Sequence, residues 1–288
     1  MSDVLQTLTE TLETAWAERE RDPEGGARAQ SAFERFLELL ESGSVRAAAP
    51  DVHGEYVVDT RVKNLILWGF RIGCLVESGD CAPFYFCDKH NLWPRASGLA
   101  AKLVRIVPGG TSVRRGACLC AGVTVMPPAY VNIGAYIGAN TMIDSHALVG
   151  SCAQIGSGCH ISAAAQIGGV LEPVGAMPVV VEDGAFVGGN SGVYEGTHVG
   201  AGAVLASGTI LTRSTPVFDL VHETVIRAVD GVLRVPERAV VIPGARAIAS
   251  GFGREYGLSA YAPLIVKYRD EKTDASLALE EALRPGAI

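Results

Sequence analysis

Charge is what the middle of this chain lacks. From Gly116 through Leu171 there are 56 residues, and Asp144 is the only one of a formally charged type. Elsewhere no run of lysine or arginine occurs, and the net charge is −7. Nucleic acid and anionic membrane surfaces are therefore poor partners. No stretch of 18 apolar residues exists, so no membrane-spanning helix is expected. The start, Met1-Ser2-Asp3-Val4, lacks a signal-peptide pattern, and the expected location is cytoplasmic. Seven cysteines, an odd number, argue against a disulfide framework. Cys118, Cys120, Cys152 and Cys159 read instead as small core residues. Cys81, Cys87 and His90 resemble part of a metal cluster, but no fourth ligand is spaced to complete it, and no metal is expected.

What the chain does have is a period of six. Val107, Val113, Leu119, Val125, Val131, Ile137, Ile143, Val149, Ile155, Ile161 and Ile167 follow one another without a missed step. Val181, Val187, Val193, Val199, Leu205, Leu211 and Val217 resume it. Four positions after most of these stands a small or β-branched residue, such as Ala117, Ala135, Thr141, Ala153 or Ala203. Neither 3.6 nor 2 produces both rows. A parallel β-helix of hexapeptides does. Each hexad supplies a short strand and a corner, and three hexads close a triangular coil of about 18 residues. Coils stacked at about 4.8 Å give six coils and a prism roughly 30 Å tall.

The fold class expected is mainly β: a parallel β-helix over 105–250, an α-rich domain over 1–104, and a small α/β tail over 251–288. The N-terminal region should hold helices over Val4–Trp16, Ala32–Leu40 and Asp59–Phe70, with a short strand over Gly54–Val58. Two excursions interrupt the prism. One spans 168–180, where the gap from Ile167 to Val181 is 14 and 12 would keep phase. The other, over 218–234, reads as a hairpin of Glu223–Val229 and Val232–Val235 turning at Asp230-Gly231. Val235 and Val241, with Ala239 and Ala245, add two last hexads. The tail should supply a strand over Ala262–Tyr268, a helix over Asp274–Leu283, and a cap for the open end.

A lone acid in a neutral wall invites a chemical reading, because unpaired buried acids are costly. Asp144 could orient or deprotonate an amine, or simply bond local amides at its corner as Asn132 could. Arg105 could grip a carboxylate in two-point fashion or form a structural ion pair. His146 and His160, on outer faces, could line a groove. Glu172 rides on the first excursion, where Gly168-Gly169 lets a ligand approach the backbone.

The strings Gly150-Ser-Cys-Ala-Gln-Ile-Gly156 and Gly168-Gly-Val-Leu-Glu-Pro173 resemble the tetrahydrodipicolinate N-succinyltransferases of bacterial lysine biosynthesis. Tyr130–Tyr136, Met142–Ser145, Val181–Asp183, Val193–Gly196 and Leu264–Lys267 extend the likeness over most of the chain. The resemblance implies left-handed coiling, a homotrimer with sites between prisms, and no permanently bound cofactor. It implies succinyl-CoA as co-substrate, with acetyl-CoA the alternative, and the amine of 2-amino-6-oxopimelate as acceptor. It assigns the amine to Asp144 and an acceptor carboxylate to Arg105. For the direct acyl transfer this implies, no nucleophilic Ser or Cys is needed, backbone N–H groups at Gly188, Gly189, Ser207 and Gly208 are candidate donors to the developing oxyanion, and these residues with Lys267 are the candidates for contacting CoA. This chain has Asn190-Ser191-Gly192 where the family commonly carries Arg-Ser-Glu, and His146 where it often has Trp. A rival reading is a metal-binding hexapeptide scaffold, for which His146, His160 and His198 are the only histidines within the hexads.

Overall fold

The computed structural model describes residues 2–22, 24–78, 86–94 and 98–269. Cys81 and the helix expected over Asp274–Leu283 lie outside them. Parallel strands of two residues each stack into three sheets that close a triangular column. Face 1 starts at Arg105–Ile106 and runs through Thr124–Val125, Met142–Ile143, His160–Ile161, Phe186–Val187 and Val204–Leu205 to Ala239–Ile242. Face 2 holds six strands from Ser112–Val113 to Ile210–Leu211, and face 3 six from Cys118–Leu119 to Arg234–Val235. Val125, Ile143, Ile161 and Val187 pair in register, so each aliphatic side chain sits over the last, and all four are fully buried.

The corners explain the small residues. The fourth residue of most hexads is left-handed, as at Gly134, Asn140, Gly158 and Gly184. His146 and Cys152 take the same conformation without being glycine, at φ 62° and 68°. The next residue turns inward against the column, and Ala135, Thr141, Ala147 and Ala153 are buried there.

Several expectations need correction. Ile106, not Val107, pairs with Val125, because Pro108-Gly109-Gly110 lengthens the first corner by one residue. The first excursion is not a phase slip. Ile155 and its partner Val181 are 26 residues apart, against 18 between Ile137 and Ile155, so one corner carries eight extra residues. The second excursion pairs Val217–Asp219 with Thr224–Ile226, while Asp230-Gly231 turns only the single bridge Val229–Val232. Ala245 leaves the prism and pairs with Tyr261 in a separate two-stranded ribbon. Strand Leu264–Tyr268 joins face 1, antiparallel to Ala239–Ile242 and parallel to Val217–Asp219, and covers the sheet edge there.

Three helices stand at the other end of the chain: α1 (Ser2–Glu18), α2 (Gly25–Glu41) and α3 (Thr60–Ile72). Helix α2 begins seven residues before the expected Ala32. Gly25 opens it because a Cβ there would meet the Ala15 carbonyl at 2.8 Å. Asp59 caps α3 by accepting from the Arg61 amide at 3.0 Å. Leu5, Leu12, Phe33, Phe36, Leu37 and Leu65 form a core that also takes in Ile133 and Cys152 of the prism, which fastens helices to column. No helix among the described residues is long and apolar enough to cross a membrane.

Candidate active site

Asp144 stands on the edge between faces 1 and 2. Above it, one coil per step, stand Ser162-Ala163, Gly188-Gly189 and Ala206-Ser207-Gly208. Hydrogen bonding along this edge follows a rule. The second residue of a corner donates its N–H to the next coil: Asp144 to Ile161 O, Gly188 to Leu205 O. The fourth donates to the coil before: Ala164 to Ser145 O, Asn190 to Ala163 O, Gly208 to Gly189 O. The third N–H is left over. At Ser145 it goes to Asp144 Oδ1, 2.7 Å away, as Ile133 N–H goes to Asn132 Oδ1 at 2.8 Å. At Ala163, Gly189 and Ser207 it finds no partner among the described residues. Two of the four expected donors are thus withdrawn: the Gly188 and Gly208 amides are spent holding coils together. Gly188 also has a packing reason, since a Cβ there would lie 2.5 Å from Ser207 N.

Asp144 thus makes the local amide bond weighed for it and keeps its second oxygen out of that bond. One oxygen closes its own corner. The other, Oδ2, lies 3.8 Å from His160 Nε2, beyond hydrogen-bond reach, and the side chain is one-third exposed. His160 stacks edge-on against Phe186 at 4.9 Å. Arg105 lies exposed on the same face, two strands from Met142. It forms no ion pair among the described residues. Lys267 lies at the far end of face 1, opposite Val240.

Glu172 is elsewhere. The 168–180 excursion leaves from the edge between faces 2 and 3, and with Tyr194, Arg213 and Arg234 it walls a cleft of about 870 Å³. Within one chain, Asp144 and Glu172 occupy opposite margins of face 2. The Tyr194 hydroxyl donates to Gln166 Oε1 at 2.9 Å, and its ring lies over Gly192, where a Cβ would approach it to 2.4 Å. The missing side chain at 192 and the aromatic ring at 194 are thus one arrangement. Arg213 forms no ion pair among the described residues. Sequence reasoning passed over Tyr194 and Arg213; the available signal was a bulky ring two places after a residue with no side chain.

The three repeat histidines do not converge within the chain. His146 stands at the 1–2 edge, His160 on face 1, and His198 on face 3, where it bonds Glu182 Oε1 at 2.8 Å. His90 meets the Cys74 amide through Nδ1 and Gln30 through Nε2. Cys118, Cys152 and Cys159 are buried as expected, and burial pushes Cys152 and Cys159 up to about 12. Cys120 is a correction. It sits half-exposed on an outer corner, and hydrogen bonds from Cys118 and Tyr136, with Lys102 and Arg46 nearby, hold its thiol down at about 6.

Residues 7–72 match the family described as tetrahydrodipicolinate N-succinyltransferase N-terminal, and residues 178–213 match the hexapeptide repeat of succinyl-transferase. A 2,3,4,5-tetrahydropyridine-2,6-dicarboxylate N-succinyltransferase of Paracidovorax citrulli is 38% identical, covering 97% of this chain and 99% of its own length. The protein of the same name from Bordetella avium is 40% identical over 96% of this chain and 98% of its own. Among solved structures, a Campylobacter jejuni chain described as a 2,3,4,5-tetrahydropyridine-2-carboxylate N-succinyltransferase aligns at TM-score 0.49 and 18% identity, over 81% of this chain and 62% of that one.

Proposed function

Because this chain belongs to the 2,3,4,5-tetrahydropyridine-2,6-dicarboxylate N-succinyltransferase family, we propose that it transfers succinyl from succinyl-CoA to the amine of the ring-opened dicarboxylate. The observation that carries this reading is the edge between faces 1 and 2. There Asp144 stands at the foot of a row of corner N–H groups, at Ala163, Gly189 and Ser207, that have no partner among the described residues.

The chemistry follows from the spacing. Only a neutral amine attacks a thioester, so Asp144 Oδ2 takes or orients its proton. The carbonyl oxygen gains charge as the tetrahedral intermediate forms, and the nearest unclaimed donor is Ala163 N–H, one coil of about 4.8 Å away. The Gly189 and Ser207 amides, about 10 and 14 Å along the edge, suit the amide carbonyls of the pantetheine arm. Lys267, five strands from Met142 and so about 24 Å up face 1, suits the phosphates at the far end of CoA. Collapse expels the CoA thiol and leaves the new amide. Arg105 takes an acceptor carboxylate.

One chain holds only half of this. The cleft with Glu172 lies across face 2 from Asp144, on the side where Ile133 and Cys152 join the helical core. In a threefold ring, the Asp144 edge of one copy meets the Glu172 cleft of the next, and holding amine and thioester together there supplies much of the rate. The homotrimer and the cytoplasmic location are part of this proposal. The test is incubation with succinyl-CoA and 2-aminopimelate, a stable acceptor mimic, reading free thiol and product mass. Thiol release that needs both substrates and yields the N-succinyl product is expected. Release only with acetyl-CoA would reassign the donor, and none with either thioester would reject the reading.

A further inference from the structure

Lys63, on α3, is fully buried, at 0 % exposure. Its Nζ donates to the carbonyl of Ala176, 113 residues away, at 2.6 Å. No carboxylate pairs with it among the described residues. Burial pushes its ammonium below the ordinary lysine range. An apolar side chain would fill the same place without the desolvation cost of a cation held by one carbonyl. That cost needs a return, and what the ammonium touches is the 168–180 excursion.

Besides the backbone bonds near its two ends, Val170 N–H to Ser151 O at 3.2 Å and Gln154 N–H to Val179 O at 2.8 Å, the excursion is held at three points. Leu171 packs against the helical core. Lys63 holds the Ala176 carbonyl. The Met177 carbonyl passes so near Gly196 that a Cβ there would come within 2.4 Å. Glu172 lies between the first two points and lines the cleft with Gly168 and Gly169. Remove the middle hold, and a loop rich in Gly and Pro hangs from its ends. We propose that Lys63 is a positioning residue for acceptor binding: through the Ala176 carbonyl it fixes the loop so that Glu172 faces the cleft. This rests on the reading that the cleft takes the amino-dicarboxylate.

The test is Lys63→Met, which keeps the stem and drops the donor, beside Lys63→Arg, which keeps a donor. For the Met variant, the KM for 2-aminopimelate should rise about tenfold or more while that for the thioester stays within about twofold. Its melting point should not fall, because an apolar isostere replaces a buried charge. Hydrogen exchange of the amides from Gly168 to Met177 should quicken in the Met variant and stay slow in the Arg variant. Unchanged exchange in Lys63→Met overturns the hold. Faster exchange with an unchanged acceptor KM overturns the role in binding, and so does an Arg variant as impaired as Met. Exchange needs no substrate, so a wild-type protein inert toward both thioesters would sink the functional reading while the exchange result still judges Lys63.

Discussion

One oxygen of Asp144 closes its own corner, and the chemistry proposed for the other is testable separately from that bond. Asp144→Asn keeps an oxygen to accept from Ser145, as Asn132 does for Ile133, so coil and melting point should be preserved. On the role proposed for Asp144 as base, turnover should fall about 10²- to 10⁴-fold. Steady-state kinetics beside thermal melting checks both halves. Cysteine reactivity tests the electrostatics independently. With its thiol held near 6, Cys120 should be alkylated by iodoacetamide at pH 6.5, while Cys152 and Cys159, near 12, stay unlabelled in the native protein. Peptide mapping reads this directly. Asp144 could be singled out in the sequence as a candidate because a single charge stands out from a neutral wall. Lys63 was not, since a lysine in an amphipathic helix reads as a solvated cation until the partner packed over it is known. Gly188 and Gly208 were misjudged for a related reason. A glycine shows where backbone is bare, and only the ladder shows which N–H is already spent.

At the level of elements, the column bears the load. Ile161 lies between Ile143 and Val187 with no exposure, so Ile161→Ala should cost about 2–5 kcal/mol, measured by denaturant unfolding. The strap of Leu264–Tyr268 has its own fastening. Asp219 accepts from His222 Nδ1 at 2.8 Å, from the Tyr268 hydroxyl at 2.7 Å, and from the Val221 and His222 amides. Burial alone would raise this carboxyl, but those bonds outweigh it and hold it down at about 2, against 3.8 ordinarily. The native pKa is below the unfolded one, so the contribution is full above about 4 and disappears as pH falls towards 2. Acid titration of stability should show a decline over that window that is absent in Asp219→Asn. The six-residue rows made the column readable because burial punishes any slip in register. The hairpin was misassigned because Asp230-Gly231 is a strong turn signal while pairing is decided by neighbours: Val217–Asp219 was already in place to receive Thr224–Ile226.

For the molecule as a whole, the edges matter more than the faces. Counting hexads in threes assigns every corner to an edge, provided the 168–180 excursion is treated as one long corner. Reading its 14-residue gap as a slipped pair of hexads hid the fact that Asp144, Gly189 and Ser207 share one edge and that Glu172 stands on another. That separation leads to the central claim, that each site draws its carboxylate from one copy and its cleft from the next. Subunit mixing tests it. Asp144→Asn and Glu172→Lys should each be nearly inactive alone, the first lacking the edge and the second the cleft. Unfolded together in equal amounts and reassembled, they should regain about a quarter of wild-type activity, the chance that an intact edge meets an intact cleft in a randomly assorted ring. A mixture no more active than the two variants measured separately would contradict a shared site.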